Sequence, residues 1–182
     1  MIFTKTKIPD VILIQPQVYE DERGHFFESF NLDVFKKNVG MIHFVQDNEA
    51  KSSKGVLRGL HYQLEPFAQS KLVRVVSGKV LDVAVDIRKD SPSFGKHVKH
   101  ELNEFNKSQL FIPKGFAHGY VGLSDTAIVL YKVDHVYAKA YERGVRYNDP
   151  DLNIDWEIDP EIIRLSEKDA NLPFLNEAET FL

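Results

Sequence analysis

Hydrophobic and polar positions along the chain alternate over short distances. Runs rich in β-branched and aromatic residues cover positions 11–14, 25–30, 56–63, 71–76, 79–87, 97–102, 109–112 and 126–133, with turn residues between them. Ser77-Gly78 separates two of these runs and predicts a tight hairpin turn. Ser91-Pro92-Ser93 and Pro113-Lys114-Gly115 give further punctuation. One short helix is predicted over residues 32–39, with Asn31 as its cap. Toward the C-terminal end the β pattern fades, and Ser166-Glu167-Lys168-Asp169 can open a helical turn. Many short strands with few helices predict an all-β fold, either a sandwich or a barrel. In the run 79–87, alternation sends Leu81, Val83, Val85 and Ile87 to one face and Asp82, Ala84 and Asp86 to the other. An unpaired buried charge is costly, so Asp82 and Asp86 read as structural or rim residues with partners or water.

Composition narrows the function classes. The 182 residues suggest one domain spanning 1–182. There is no cysteine, which removes disulfides, thiolate metal sites and a cysteine nucleophile together. The formal net charge of −4 lacks the basic excess of a nucleic-acid or anionic-membrane binder. An anionic substrate therefore needs a local group of cations. Met1-Ile2-Phe3-Thr4-Lys5 opens no long apolar run, and no run elsewhere is long enough to span a bilayer. A cytoplasmic location is the expectation.

Several segments can carry chemistry. In Arg58-Gly59-Leu60-His61-Tyr62-Gln63, strict alternation sends Arg58 and His61 to opposite faces, although a bulge at Gly59 would relax this. Taken alone, His61 reads as a strand histidine with its hydrogen bonds satisfied. His118, between glycines after the Pro113-Lys114-Gly115 turn, is either a turn residue or a pocket wall. Two histidines on strands also suggest a metal-binding cupin. The His-x-His element of that class is broken here to His61-Tyr62-Gln63, with only Glu65 nearby, so metal is the minority reading. Tyr131 shares a face with Val129 and Val133 and points to an apolar interior, where a phenol can be core or general acid. Ser166 and Asp169 read as a capping box, or Asp169 accepts a hydrogen bond from an imidazole. Tyr137 joins Tyr131 as an aromatic candidate, whereas Arg23-Gly24, Glu28, Gln46-Asp47-Asn48 and Lys71 are each ordinary when taken singly.

Together these segments resemble a known family. The order Asp21-Glu22-Arg23-Gly24, Phe44-Val45-Gln46-Asp47-Asn48, residues 55–63, Lys71-Leu72-Val73, residues 82–88, residues 115–119 and residues 165–169 is similar to the dTDP-4-dehydrorhamnose 3,5-epimerases. The likeness runs over residues 8–169. It implies a jelly-roll, cupin-type β-sandwich with a few short helices, working without metal or other cofactor. It also implies a homodimer in which N-terminal strands pack onto the partner. The implied reaction converts dTDP-4-dehydro-6-deoxy-D-glucose to dTDP-4-dehydro-L-rhamnose, in dTDP-L-rhamnose biosynthesis. Carried over by residue, His61 matches the general base, Asp169 its dyad partner, Tyr131 the general acid and Lys71 the cation beside the enolate oxygen. Tyr137 matches an aromatic residue that stacks on thymine. Arg23, Glu28, Gln46, Asn48, Arg58, His118, Glu142, Arg143 and Lys168 fall at or near substrate-contacting positions. The chain departs from the pattern at Tyr120, where phenylalanine is common, at Tyr147, where tryptophan is common, and at Glu157 after Trp156, where proline is common. A single-centre epimerase or 3,4-ketoisomerase, a metal-dependent cupin and a non-catalytic sugar-nucleotide module are the competing readings.

Overall fold

The computed structural model describes residues 1–181. Its strands are β1 (Ile2–Lys5), β2 (Ile12–Gln15), β3 (Val18–Asp21), β4 (Gly24–Phe27), β5 (Gln46–Ser53), β6 (Leu57–Gln63) and β7 (Lys71–Ser77), followed by β8 (Lys79–Asp86), β9 (His97–Asn103), β10 (Gln109–Ile112), β11 (Phe116–Gly122), β12 (Thr126–Val133) and β13 (Glu142–Gly144). Two helices join them, α1 (Leu32–Asn38) and α2 (Glu167–Ala170). A six-stranded sheet in the order β1-β2-β10-β7-β12-β5 faces a five-stranded sheet in the order β13-β6-β11-β8-β9, and β3 and β4 form a separate hairpin. The fold is a jelly-roll, cupin-like β-sandwich. No helix among the described residues is long and apolar enough to cross a membrane.

Three apolar layers hold the sandwich. Between the sheets, Val73, Val75 and Val129 meet Val80, Val98 and Leu102. The outer face of the six-stranded sheet, through Ile12, Ile14, Leu72 and Phe111, is covered by Phe35 of α1 with Phe30 and Phe44. Asn31 caps α1 as predicted: its Oδ1 accepts from the Asp33 and Val34 N–H groups at 3.1 and 3.2 Å. The outer face of the five-stranded sheet, through Leu81, Val83, Val85 and Ile87, is covered by Leu152, Trp156 and Leu175. The alternation along β8 is thus the predicted one. The aspartate face looks into the sandwich, and the wholly apolar face looks outward under the C-terminal segment.

One expectation is corrected, and the apolar runs left some strands unmarked. Ser77-Gly78 is not a hairpin turn, because β7 hydrogen-bonds to β10 and β12 while β8 pairs with β11 and β9. Gly78, at φ +75°, is a corner that carries the chain from one sheet to the other. The corner lets Val75 and Val80 meet across the core, which burial favours over pairing edge to edge. Among the strands the runs did not mark is β5, which has no apolar run. It is an edge strand paired with β12, with Asp47, Glu49 and Lys51 exposed outward. Its inward residues border a polar cavity, so neither face required hydrophobic side chains.

Candidate active site

A cavity of about 430 Å³ opens between the two sheets. The six-stranded sheet contributes Ala50, Lys71 and Tyr131, and the five-stranded sheet contributes Arg58, His61, His118 and Tyr120. The segment from Arg164 to Asp169 closes one side. A second hollow of about 260 Å³ shares His61, Lys71 and Tyr131 and is walled by Gln46, Asn48, Tyr137 and Glu142.

The register of β6 explains how Arg58 and His61 reach one cavity. On β11, His118 pairs with His61 and Tyr120 pairs with Arg58, so three residues of β6 span two of β11. This bulge brings Arg58 and His61 to the same face, against strict alternation. Gly59 makes it possible. It has φ +138°, and a Cβ built there would lie 2.5 Å from the Gly119 Cα.

His61 Nε2 lies 2.7 Å from Asp169 Oδ1. The carboxylate accepts, so Nε2 carries the proton and Nδ1 is left as the free basic nitrogen. Asp169 is buried, and burial alone would raise its carboxyl. The hydrogen bond and charge of His61, with the Gly59 N–H and Lys168, instead hold it below the ordinary carboxylate value. The capping and dyad readings divide between two side chains. Ser166 Oγ accepts from the Asp169 N–H at 3.1 Å, whereas the Asp169 carboxylate turns away from the helix end to the Gly59 N–H and His61.

Across the cavity, Tyr131 projects from β12. Burial raises its phenol above the ordinary value, Tyr120 adds to this, Arg58 opposes it and Glu142 adds again. It therefore keeps its proton at neutral pH and can donate it. Lys71 is buried, and its Nζ donates to the His61 carbonyl at 3.3 Å. Burial pushes this ammonium down to about 8, against the raising effect of Asp82 and Glu142. It remains a cation at neutral pH.

Asp82, read from sequence as structural or rim, is fully buried and holds His118, with His118 Nε2 at 2.9 and 3.1 Å from its two oxygens. Burial lowers the His118 imidazole, with Asp82 raising it and Lys71 and His61 lowering it further. Only register shows the link, because Asp82 pairs with Tyr120, two residues from His118. Asp86 is structural, bound by Arg88, Ser91 and Ser93. Tyr120, the aromatic departure noted above, holds its hydroxyl 3.1 Å from Ser52 Oγ, which also accepts from Arg58 Nε at 3.1 Å. Sequence reasoning missed Ser52 and Arg164, since neither stands in a motif.

The second hollow gathers more of the predicted residues. Tyr137 donates from its hydroxyl to Glu142 at 2.9 Å, and Lys168 donates to the other Glu142 oxygen at 2.8 Å. Gln46 Oε1 accepts from the Tyr137 N–H at 3.0 Å, and Gln46 Nε2 donates to Asn48 at 2.9 Å. Gln63, where a metal-binding reading needs a second histidine, is occupied otherwise. Its amide nitrogen donates to the Phe67 and Val136 carbonyls at 2.7 and 3.2 Å, and its oxygen accepts from the Ala138 N–H at 2.6 Å. Two predicted residues, Arg23 and Glu28, line none of the hollows around His61, while Arg143 lines a third hollow with His61 and Glu142. Arg23 pairs with Asp21 at 2.6 Å on the β3–β4 hairpin, and Glu28 accepts from Asn31. Arg143 is bound to Glu179 and to the Ala140 and Glu142 carbonyls.

Fold and site define an isomerase-like constellation: a cupin-type jelly roll with a histidine–aspartate pair and a phenol on opposite walls of one cavity. The family model for dTDP-4-dehydrorhamnose 3,5-epimerase matches residues 5–177. The dTDP-4-dehydrorhamnose 3,5-epimerase of Shigella flexneri is 55% identical over 179 residues, covering 98% of each chain. The crystal structure of the Elizabethkingia anophelis NUHP1 enzyme of that name superposes with a TM-score of 0.93 at 50% identity, covering 97% of each chain. A dTDP-6-deoxy-D-glucose-3,5-epimerase from Legionella pneumophila Philadelphia 1, solved in complex with dTDP-4-keto-L-rhamnose, gives 0.93 at 46% identity, covering 96% of this chain and 93% of that one. This chain belongs to the dTDP-4-dehydrorhamnose 3,5-epimerase family and is an epimerase.

Proposed function

We propose that the protein epimerises dTDP-4-dehydro-6-deoxy-D-glucose at C3 and C5, giving dTDP-4-dehydro-L-rhamnose for dTDP-L-rhamnose formation. The observation that carries this reading is the placement of proton acceptor and donor on opposite sheets of the sandwich. The C4 ketone acidifies the protons on C3 and C5, because the charge left behind moves onto oxygen. Each inversion removes a proton from one face and returns one to the other. His61 Nδ1 is the base, oriented by Asp169 through Nε2. Tyr131 is the acid on the facing wall. Lys71 supplies the fixed charge for the enolate oxygen, and preorganised charge of this kind is often the largest catalytic contribution. His118, held by Asp82, and Arg58, held by Ser52, bind substrate polar groups, and Tyr137 stacks on the base beside Gln46 and Asn48.

The family's homodimer is part of the proposal. The β3–β4 hairpin pairs only with itself among the described strands and exposes Tyr19 and Phe26, at 64% and 73%. Packing against a second copy would bury these rings. It would also account for Arg23 and Glu28, which contribute to the partner's site in this reading.

Incubation with dTDP-4-dehydro-6-deoxy-D-glucose in D₂O, followed by NMR, tests the reaction. Deuterium at both C3 and C5 with conversion to the L-sugar is the expected result. Label at one centre alone would reduce the activity to single epimerisation, and none at either would end the proposal.

A further inference from the structure

We propose that Arg164 is a diphosphate-binding residue, forming with Arg58 the anion cradle at the mouth of the cavity. This rests on the sugar-nucleotide reading above and adds a residue that none of the sequence motifs contains. Ile163 and Leu165 pack into the apolar layer outside the five-stranded sheet. Arg164, between them, turns to the cavity. It is fixed there by backbone bonds: its N–H donates to the Gly55 carbonyl at 2.8 Å, and its carbonyl accepts from the Leu57 N–H at 3.0 Å. Val56 and Arg164 stand as a parallel bridge. Arg58, two residues beyond Val56, therefore lies on the same side as Arg164.

Arg164 differs from the other cations of the cavity in having no partner for its guanidinium among the described residues. Lys168 is neutralised by Glu142 at 2.8 Å. Lys71 lies deep and is directed at the His61 carbonyl. Arg58 spends Nε on Ser52 and one terminal nitrogen on the Lys51 carbonyl, which orients its remaining N–H groups. The Arg164 guanidinium has no hydrogen bond or ion pair to a side chain among the described residues, and all five of its donors are available. A nucleoside diphosphate sugar carries two negative charges on adjacent phosphates. Two guanidiniums lining one cavity match these by charge and by their forked geometry. Against the net charge of −4, such a local pair gives an anionic ligand a favourable site.

Calorimetry with dTDP and with thymidine, on the full-length protein and on Arg164→Ala, Arg164→Lys and Arg58→Ala, tests this. For Arg164→Ala the expectation is about tenfold weaker dTDP binding, as for loss of one charge-assisted hydrogen bond at an exposed site. KM for the keto sugar should rise in parallel, with the loss falling on KM and not on kcat. Thymidine affinity should not change, and Arg164→Lys should recover most of the dTDP affinity. If Arg164→Ala binds dTDP as the parent does while Arg58→Ala binds it weakly, the inference fails and the sugar-nucleotide reading stands. If Arg164→Ala loses thymidine and dTDP affinity alike, the residue is structural and the inference also fails. A parent protein that binds no dTDP would overturn both.

Discussion

At the scale of single residues, the neighbours of His61 decide what it does. Read alone in sequence it is an ordinary strand histidine. Its partner lies 108 positions away, at Asp169, and no local pattern announces that contact. Replacing His61 with Asn should abolish solvent exchange at both C3 and C5, a loss of at least about 10²–10⁴-fold. Normal exchange in that variant would remove it as the base. Ser166 and Asp169 separate stability from catalysis. Ser166→Ala should cost about 1 kcal/mol of stability, as for a lost helix cap, and leave turnover near the parent value. Asp169→Asn should do the reverse, cutting kcat while moving the melting temperature little. A variant pair with these effects exchanged would return Asp169 to a capping role. Lys71 sets the alkaline limb. Its ammonium is held near 8 by burial, so it is charged below that pH and neutral above it. In the proposed role Lys71 would cease to stabilise the enolate as pH rises, and kcat should fall with an apparent pKa near 8. A rate that stays level beyond about pH 9 would dissociate Lys71 from the chemistry.

At the scale of elements, the sheet-facing pattern was legible and the polar exceptions were not. Alternation along β8 and the Asn31-capped helix could be read directly, because burial on one face imposes a period. β5 could not, since it faces water on one side and the polar cavity on the other. The corner at Ser77-Gly78 resembles a hairpin locally, and only the pairing of the flanking strands shows otherwise. The bulge in β6 is the element on which the site depends. Gly59→Ala would force a side chain into the positive-φ region and against the Gly119 backbone, costing at least about 2 kcal/mol. Its activity should fall further than its stability, because restored alternation would turn Arg58 and His61 apart. Retention of full kcat at reduced stability would show that the bulge is not required. The loop carrying Tyr137 depends similarly on Gln63. A Gln63→Leu variant should raise KM for the nucleotide sugar, while an unchanged KM would mean that the loop holds its shape without the clamp.

At the scale of the molecule, the two sheets divide the labour. The five-stranded sheet carries His61, His118 and Arg58, and the six-stranded sheet carries Lys71 and Tyr131. In the proposed reaction, a substrate between them would meet His61 and Tyr131 from opposite sides. The resemblance to known epimerases made His61, Lys71, Tyr131 and Asp169 legible as a set. Their opposition across a cavity, and the supporting contacts from Asp82, Ser52 and Gln63, required the folded chain. Sedimentation of the purified protein should give twice the mass of one chain, and a monomer at micromolar concentration would contradict the proposed role of the β3–β4 hairpin.

The central claim is that His61 and Tyr131 work on opposite faces of the sugar. Tyr131→Phe in D₂O tests it most directly. Proton removal by His61 should continue, so deuterium should still enter at C5, but without net inversion there and without conversion to the L-sugar. Full turnover by Tyr131→Phe would contradict the account and assign the donor to another group.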